Sequence, residues 1–336
     1  MASEWTRREW LRWASLAGAL PLLNSCARSP GILASSTPAP DTSIAMADAI
    51  IGRSYLKRGI EALSDSFRCG PLSGQGGAAV ITAYYFCREN ALDERTVRRI
   101  RSKLDDFMSG SGEAFDVKRD HGGPTASTDR IAETLAESVS GLRAGGHDAI
   151  FASLALKALR DLPEMAVEPV VDGLCRMLRN FAAAFPVQRS AYDLEHPMAP
   201  YRNTRDIVRA TSLAILRQSL GMRMSSVLHW VTHADALVTL TELGYDEVAR
   251  LGHKAHQQAI NHSGAVASPS GEDWSTAPRW FKAGYWESQE PRDGFWGGGH
   301  SFKFPYSILK LANRLQDPDE KSNGLERVSW LLQSRG

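Results

Sequence analysis

The chain has 336 residues, enough for one large domain or two ordinary ones. It carries 39 Lys and Arg against 38 Asp and Glu, a formal net charge of +1. This balance excludes a general electrostatic nucleic-acid binder, because no excess of basic side chains exists to displace phosphate counterions. A hydrophobic fraction of 43% is typical of a globular protein and excludes disorder or a polytopic membrane protein.

The N-terminus is similar to an export signal. Residues 6–12 (TRREWLR) resemble a twin-arginine motif, and an apolar stretch follows at residues 13–23. Eleven residues span only about 16 Å as a helix, which predicts a signal sequence and not a membrane span. Residues 22–26 (LLNSC) resemble a lipobox, in which Cys26 is lipidated. We therefore expect residues 1–26 to be the signal peptide of a periplasmic or cell-surface lipoprotein, held at the membrane by its N-terminal lipid. A plain signal peptide with an incidental Cys26 is the alternative.

The remainder divides into a linker and a folded part. Residues 27–40 are rich in Ser, Ala and Pro, which predicts a flexible tether. Residues 41–336 are expected to form a single all-helical domain. Cys69, Cys87 and Cys175 permit one disulfide at most, with Cys69 and Cys87 the nearest pair in sequence. We favour three free cysteines that act as small buried apolar residues.

Apolar residues recur at spacings of three and four from residue 42 onward, which predicts helices. One stripe runs over residues 44–56, a second over 97–107 after the capping residue Asp93, and a third over 131–142. We expect the third helix to begin at Ser127 or Thr128 and to close at Gly145 and Gly146. Further helices are predicted over 147–161, 165–183, 204–219, 223–243, 246–261, 303–315 and 323–334.

The pattern as a whole predicts an all-α fold. No segment shows the period-two alternation of a β-strand. Roughly ten helices joined by Gly-rich connections favour a paired arrangement, either a helical bundle or an α/α toroid.

Three glycine pairs precede apolar segments, at residues 76–77, 145–146 and 298–299. In the second and third, a histidine follows directly: His147 and His300. A helix N-terminus stabilises a neutral imidazole and attracts anions, and glycine lets a ligand approach the backbone. These starts therefore predict functional positions, with plain tight turns as the alternative.

Two further histidines lie four residues apart, His229 and His233, and so share one face of a predicted helix. Two helical metal ligands often have this spacing, which predicts a metal site at this pair. His253 and His256, three apart, could serve similarly. The alternative is that one histidine of the first pair is buried and hydrogen-bonded while the other lines a pocket.

Residues 264–299 lack a helical period and are rich in aromatic side chains. A loop this long with so many aromatic residues is typical of a functional segment. We expect Trp280, Trp286 and Trp296 to form a wall or lid for a flat apolar or aromatic ligand. A self-packed loop is the alternative.

Three segments in order resemble the questin oxidase family: residues 146–151 (GHDAIF), 228–234 (LHWVTHA) and 300–304 (HSFKF). Fungal members of this family oxidatively cleave anthraquinone rings. The resemblance covers about residues 70–315 and implies His147, His229, His300 and Lys303 as catalytic residues around one pocket. Gln75 stands where the family has an early histidine, and we expect it to bind substrate.

The resemblance implies an extracytoplasmic oxidoreductase that oxygenates an aromatic or polycyclic ketone in a Baeyer–Villiger-like step. Such a step needs a base and donors that stabilise an oxyanion. The cofactor is unknown, a histidine-ligated metal or a haem being the candidates, and the expected partner is a small apolar or aromatic substrate.

Two other classes of function compete with this interpretation. A glycan lyase or hydrolase would use carboxylates such as Glu272, Asp273, Glu287 and Asp293. A binding lipoprotein without enzymatic activity would hold haem or an apolar ligand. Histidines that converge from distant helices would favour the oxidoreductase or the binding protein, and dispersed histidines beside carboxylates would favour the glycan enzyme.

Overall fold

The computed structural model describes residues 40–111, 115, 122–187, 200–216, 224–261, 283–287, 299–317 and 321. Within these ranges the fold is all-α, as predicted, and the sole β feature is an isolated bridge between Thr125 and Val167. The α-helices of the described residues are α1 (Pro40–Ile50), α2 (Arg53–Asp65), α3 (Gln75–Glu89), α4 (Glu94–Gly110), α5 (Asp129–Ala136), α6 (His147–Asp161), α7 (Glu168–Ala184), α8 (Thr204–Leu216), α9 (Met224–Glu242), α10 (Asp246–Asn261), α11 (Ala283–Glu287) and α12 (Ser301–Ala312).

The N-terminal signal, Cys26 and the predicted helix over residues 323–334 lie outside the described residues. Among the helices that are described, none combines the length and the apolar character needed to cross a membrane.

Several helix boundaries follow the sequence pattern closely. The helices predicted over 147–161 and 246–261 have these bounds in α6 and α10. Asp93 caps α4, where its carboxylate accepts a hydrogen bond from the Thr96 amide at 2.8 Å. This contact pairs one of the amides that every helix start leaves without an intrahelical partner.

Two predicted helices are shorter than expected. The stripe over residues 44–56 is divided between α1 and α2, because Gly52 adopts an extended backbone there. The third predicted helix ends at Ala136 and not at the glycine pair. Beyond it, the Ser138 hydroxyl bonds both the Leu135 carbonyl and the Asp148 carboxylate, and such side-chain bonds compete with helix continuation.

The first glycine pair lies inside α3 and not before it, which corrects the predicted helix start. A Cβ on Gly77 would lie 2.5 Å from the Leu63 amide nitrogen and 2.6 Å from the Gly59 carbonyl oxygen of α2. The pair therefore serves close packing, because only a residue without a side chain lets the two helix backbones approach this far.

The core is centred on α3, α6, α9 and α12. α9 packs against α6, α10 and α12, and α12 also packs against α3. Nearly every side chain of α3 and α6 is buried, which is typical of helices surrounded by others. The same four helices carry the candidate site.

The three described cysteines are free. Cys87 and Cys175 are buried, as expected of small apolar residues. Cys69 is exposed, which corrects the expectation that all three are buried. It follows the short helical turn Ser66–Arg68 in a connection at the surface.

Candidate functional site

Three histidines from distant parts of the chain meet inside the bundle. His147 is the first residue of α6, His229 lies on α9, and His300 directly precedes α12. One ring nitrogen of each lies within 4.8 Å of the others. The ring centroids are 4.8 Å apart for His147–His229, 5.6 Å for His229–His300 and 6.3 Å for His147–His300. His147 is buried and the other two are half-buried. We call these residues the histidine triad.

The glycine pair before α6 makes this approach possible. Gly145 and Gly146 both have positive φ, 71° and 86°. A Cβ on Gly145 would lie 2.9 Å from Cγ of His229, and a Cβ on Gly146 would lie 2.7 Å from Cγ of His233. The glycines therefore provide both the left-handed backbone and the space for α9 to pass.

Hydrogen bonds determine the tautomer of His147. Its Nδ1–H donates to the carbonyl of Ala144 at the turn before α6. Nε2 therefore carries a lone pair, and it accepts a hydrogen bond from Gln75 Nε2 at 2.5 Å. The amide oxygen of Gln75 in turn accepts a hydrogen bond from Nζ of Lys303. Gln75 and Lys303, both predicted as site residues, thus continue the polar group that begins at the histidine triad.

Burial controls the charge of the site. Desolvation lowers the pKa of His147 well below its usual value, and the neighbouring His229 and Lys303 lower it further. Desolvation also lowers the pKa of Lys303 to about 7. Its hydrogen-bond partner is an amide and not a carboxylate, so no negative charge stabilises the ammonium form there. The site at neutral pH therefore combines a neutral imidazole with an amine that exchanges its proton readily.

Two phenylalanines form an apolar wall beside the triad, and the sequence patterns did not identify them. The Phe181 ring is parallel to His147 with centroids 6.4 Å apart, and Phe151 meets it edge-on at 5.5 Å. Nζ of Lys303 lies 5.8 Å from the centroid of Phe151. On sequence alone these rings have the spacing of ordinary core residues.

A cavity of about 10 Å³ lies next to Lys303, which is room for about one water molecule. Asp235 and Ser307 line it, and the Ser307 hydroxyl donates to the Asp235 carboxylate at 2.7 Å. Asp235 also pairs with Lys310 at 2.9 Å. Asp235 is not among the predicted site residues, although a single carboxylate within the apolar stretch of α9 indicates a buried polar site.

His233 belongs to a second group. Its ring lies 5.7 Å from that of His256 on α10. The Tyr201 hydroxyl bonds Nδ1 of His256 at 3.0 Å, and Thr211 contacts Nε2 at 3.3 Å. The two members of the tentative metal pair, His229 and His233, therefore have different neighbours: His229 joins the triad and His233 packs against His256.

Acid is expected to destabilise the protein through these buried imidazoles. Burial lowers the pKa of His233 to about 4, whereas the unfolded chain titrates near 6.5. Between these values the unfolded state binds more protons, so the free energy of unfolding falls as the pH drops from 6.5 to 4. We expect His233 alone to account for about 3 kcal/mol of this loss.

Urea unfolding of the wild type and of His233→Asn at pH 7 and pH 4.5 measures this effect. The variant is expected to lose less stability between the two pH values. His253→Asn is the control, because His253 is half-buried and its substitution should alter the pH dependence less. Equal pH dependence in the wild type and His233→Asn would contradict the prediction.

The segment predicted as an aromatic loop, residues 264–299, is described only in part, and residues 283–287 within it form the short helix α11, which corrects the expectation of a segment without helix. Trp280 and Trp296 lie outside the described residues. Trp286 is buried in α11, where it stacks on Phe302 at 5.6 Å and contacts Phe86 at 5.9 Å. The structure thus places Trp286 in the core, as expected for the self-packed alternative.

Of the four carboxylates considered for glycan chemistry, Glu287 alone lies among the described residues. Glu287 pairs with Arg95 at 2.8 Å and with Arg99 at 3.2 Å at the surface. Glu272, Asp273 and Asp293 lie outside the described residues.

Comparison of the chain with known proteins gives no match among family models, curated proteins or solved structures. The resemblance to the questin oxidase family therefore stays a prediction that depends on three short motifs.

Proposed function

We propose that the protein is an oxidoreductase that oxygenates a small aromatic or polycyclic ketone at the histidine triad. The observation that carries the proposal is the meeting of His147, His229 and His300, which come from three helices far apart in sequence. Convergence of this kind favours histidine-based chemistry over the glycan enzyme. The order of the three motifs supports the same reaction class.

The proposed reaction inserts one atom of dioxygen into a carbon–carbon bond next to the ketone. The second oxygen atom leaves as water, after uptake of two protons and two electrons from an external organic reductant. Such a step needs a group that exchanges protons near neutral pH and donors toward the developing oxyanion. Lys303 suits the first role because burial lowers its pKa to about 7.

Gln75 and the phenylalanine wall suit the remaining roles. The amide of Gln75 connects Lys303 to His147 and offers N–H groups to an oxygen atom. Phe151 and Phe181 are fully buried beside His147 and exclude water from this side of the triad, which keeps the imidazole neutral.

The binding-protein alternative is disfavoured for haem. The three histidine rings have centroids only 4.8 to 6.3 Å apart, which leaves no room for a porphyrin between them.

We further propose that the reaction takes place outside the cytoplasm. The resemblance of residues 6–12 to an export motif and the predicted lipidation of Cys26 support this location.

Oxygen uptake by the full chain tests the proposed function. With a panel of hydroxyanthraquinones and anthrones, a quinol as reductant and ¹⁸O₂, we expect one labelled atom in the product. Lys303→Met is expected to lower turnover about 100-fold or more, because general acid–base groups contribute about that much. Lys254→Met, at an exposed position of α10, is the matched control and should retain turnover. Unlabelled products, or equal rates in both variants, would contradict the proposal.

A further inference from the structure

We infer that the histidine triad binds one first-row transition-metal ion through one imidazole nitrogen each of His147, His229 and His300. The inference rests on the proposed function, since it names the cofactor of the same site. It replaces the predicted pair His229 and His233 with a set of three ligands from three helices.

The spacing of the triad suits a single ion. Its ring nitrogens lie within 4.8 Å of one another. Metal–nitrogen bonds of about 2.0–2.1 Å in a tetrahedral site place the nitrogens roughly 3.4 Å apart. His147 is held in place by its hydrogen bond to Ala144, whereas the rings of His229 and His300 are half-buried. Small rotations of these two rings would shorten the distances between the ligand nitrogens from at most 4.8 Å to about 3.4 Å.

His147 has the environment of a metal ligand. Its Nδ1–H donates to the Ala144 carbonyl, an arrangement that determines the tautomer and directs the Nε2 lone pair away from the backbone. Most metal-bound histidines have such a second hydrogen bond. The Phe181 ring lies parallel to the imidazole of His147, and the Phe151 ring packs against it nearly at a right angle.

Three imidazole ligands would leave the fourth position of a tetrahedral site open, next to Gln75. Its side-chain amide lies at Nε2 of His147 and is held by Lys303. On metal binding, His147 Nε2 exchanges this hydrogen bond for the ion, and the amide becomes a donor to whatever oxygen atom occupies the fourth position. Three protein ligands and one open position are typical of catalytic metal sites.

The ligand set selects the class of ion. No described carboxylate or thiolate belongs to the group, so its donors are imidazoles alone. Imidazole favours zinc, copper, iron and nickel over magnesium and calcium. Because the proposed reaction is a redox process, we assign copper or iron to the site.

Metal analysis of the full chain, purified without an affinity tag and reconstituted with Cu²⁺, Fe²⁺, Co²⁺ or Zn²⁺, tests this inference. We expect one equivalent of metal per chain, and visible absorption of the Co²⁺ form that indicates nitrogen ligands. His300→Ala is expected to weaken binding at least about 100-fold, more than the loss of an outer-shell partner does. His300 is half-buried at the N-cap of α12, so this variant is the least disruptive of the three.

Two controls keep the outcome interpretable. His253→Ala lies on α10 outside the triad and should bind metal as the wild type does. Lys303→Met should also retain metal, because Lys303 is not a ligand, while it loses turnover. Circular dichroism of each variant confirms that its helices are intact.

The outcomes separate the two proposals. Stoichiometric copper or iron lost in His300→Ala supports the inference. Stoichiometric zinc bound by the triad, with no oxygen uptake, would support a metal site and overturn the oxidoreductase. Less than one tenth of an equivalent of any metal, or equal binding by wild type and His300→Ala, would overturn the metal site while the oxygen-uptake assay still tests the reaction.

Discussion

Lys303→Met is expected to raise the free energy of unfolding by about 2–3 kcal/mol at pH 7, although it removes a hydrogen bond. Burial lowers the pKa of Lys303 from 10.5 to about 7, so folding makes its ammonium form unfavourable. Methionine has a similar volume and fills the site without a charge. The lost hydrogen bond to Gln75 offsets part of the gain.

The gain should depend on pH in a defined direction. Between pH 7 and 10.5 the unfolded chain keeps a proton on Lys303 that the folded protein releases, so wild-type stability rises with pH over this window. The difference between wild type and variant is therefore largest at or below pH 7 and shrinks toward pH 10. Urea unfolding at pH 7, 8.5 and 9.5 measures it.

Lys157→Met is the matched control. Lys157 is also buried in the core, but its Nζ pairs with the Glu89 carboxylate and donates to the Tyr306 hydroxyl at 2.7 Å. Burial lowers the pKa of Lys157 too, but the Glu89 carboxylate opposes this effect, and removing Lys157 leaves Glu89 without its partner. We therefore expect Lys157→Met to change the free energy of unfolding by less than about 1 kcal/mol. If Lys303→Met raised the free energy of unfolding no more than Lys157→Met does, Lys303 would be a structural residue and not one kept for function.

Gly77→Ala is expected to destabilise the protein by about 3 kcal/mol or more. The added methyl group would lie 2.5 Å from the Leu63 nitrogen and 2.6 Å from the Gly59 oxygen. Both atoms belong to the backbone of α2, so no side-chain rotation relieves the overlap and the two helices must separate. Thermal unfolding followed by circular dichroism measures the effect.

Gly110→Ala is the control for this substitution. Gly110 is the last residue of α4, and a Cβ there meets no atom within 4 Å. We expect no loss of stability, or a gain of about 0.5 kcal/mol from the better helix propensity of alanine. Equal stability of the two variants would show that α2 and α3 tolerate a wider separation than their packing indicates.

Local patterns predicted the parts of the fold that local interactions decide. The spacing of apolar residues gave the bounds of α6 and α10, and Asp93 caps α4 because a carboxylate at that position can reach the third amide of the helix. The apolar spacing predicted helices that were too long at Gly52 and near Ser138, because a local backbone feature ends the helix at each position.

The sequence by itself also singled out His147, His229, His300, Lys303 and Gln75, but it did not show how they are grouped. Residues 229 and 233 share a helix face, yet only tertiary packing assigns the first to the triad and the second to His256. The physical reason is that helix periodicity constrains neighbours three and four residues apart, whereas contacts between α6, α9 and α12 depend on how closely their backbones approach. The left-handed glycines before His147 control that approach, and their effect is visible only when α9 lies against them.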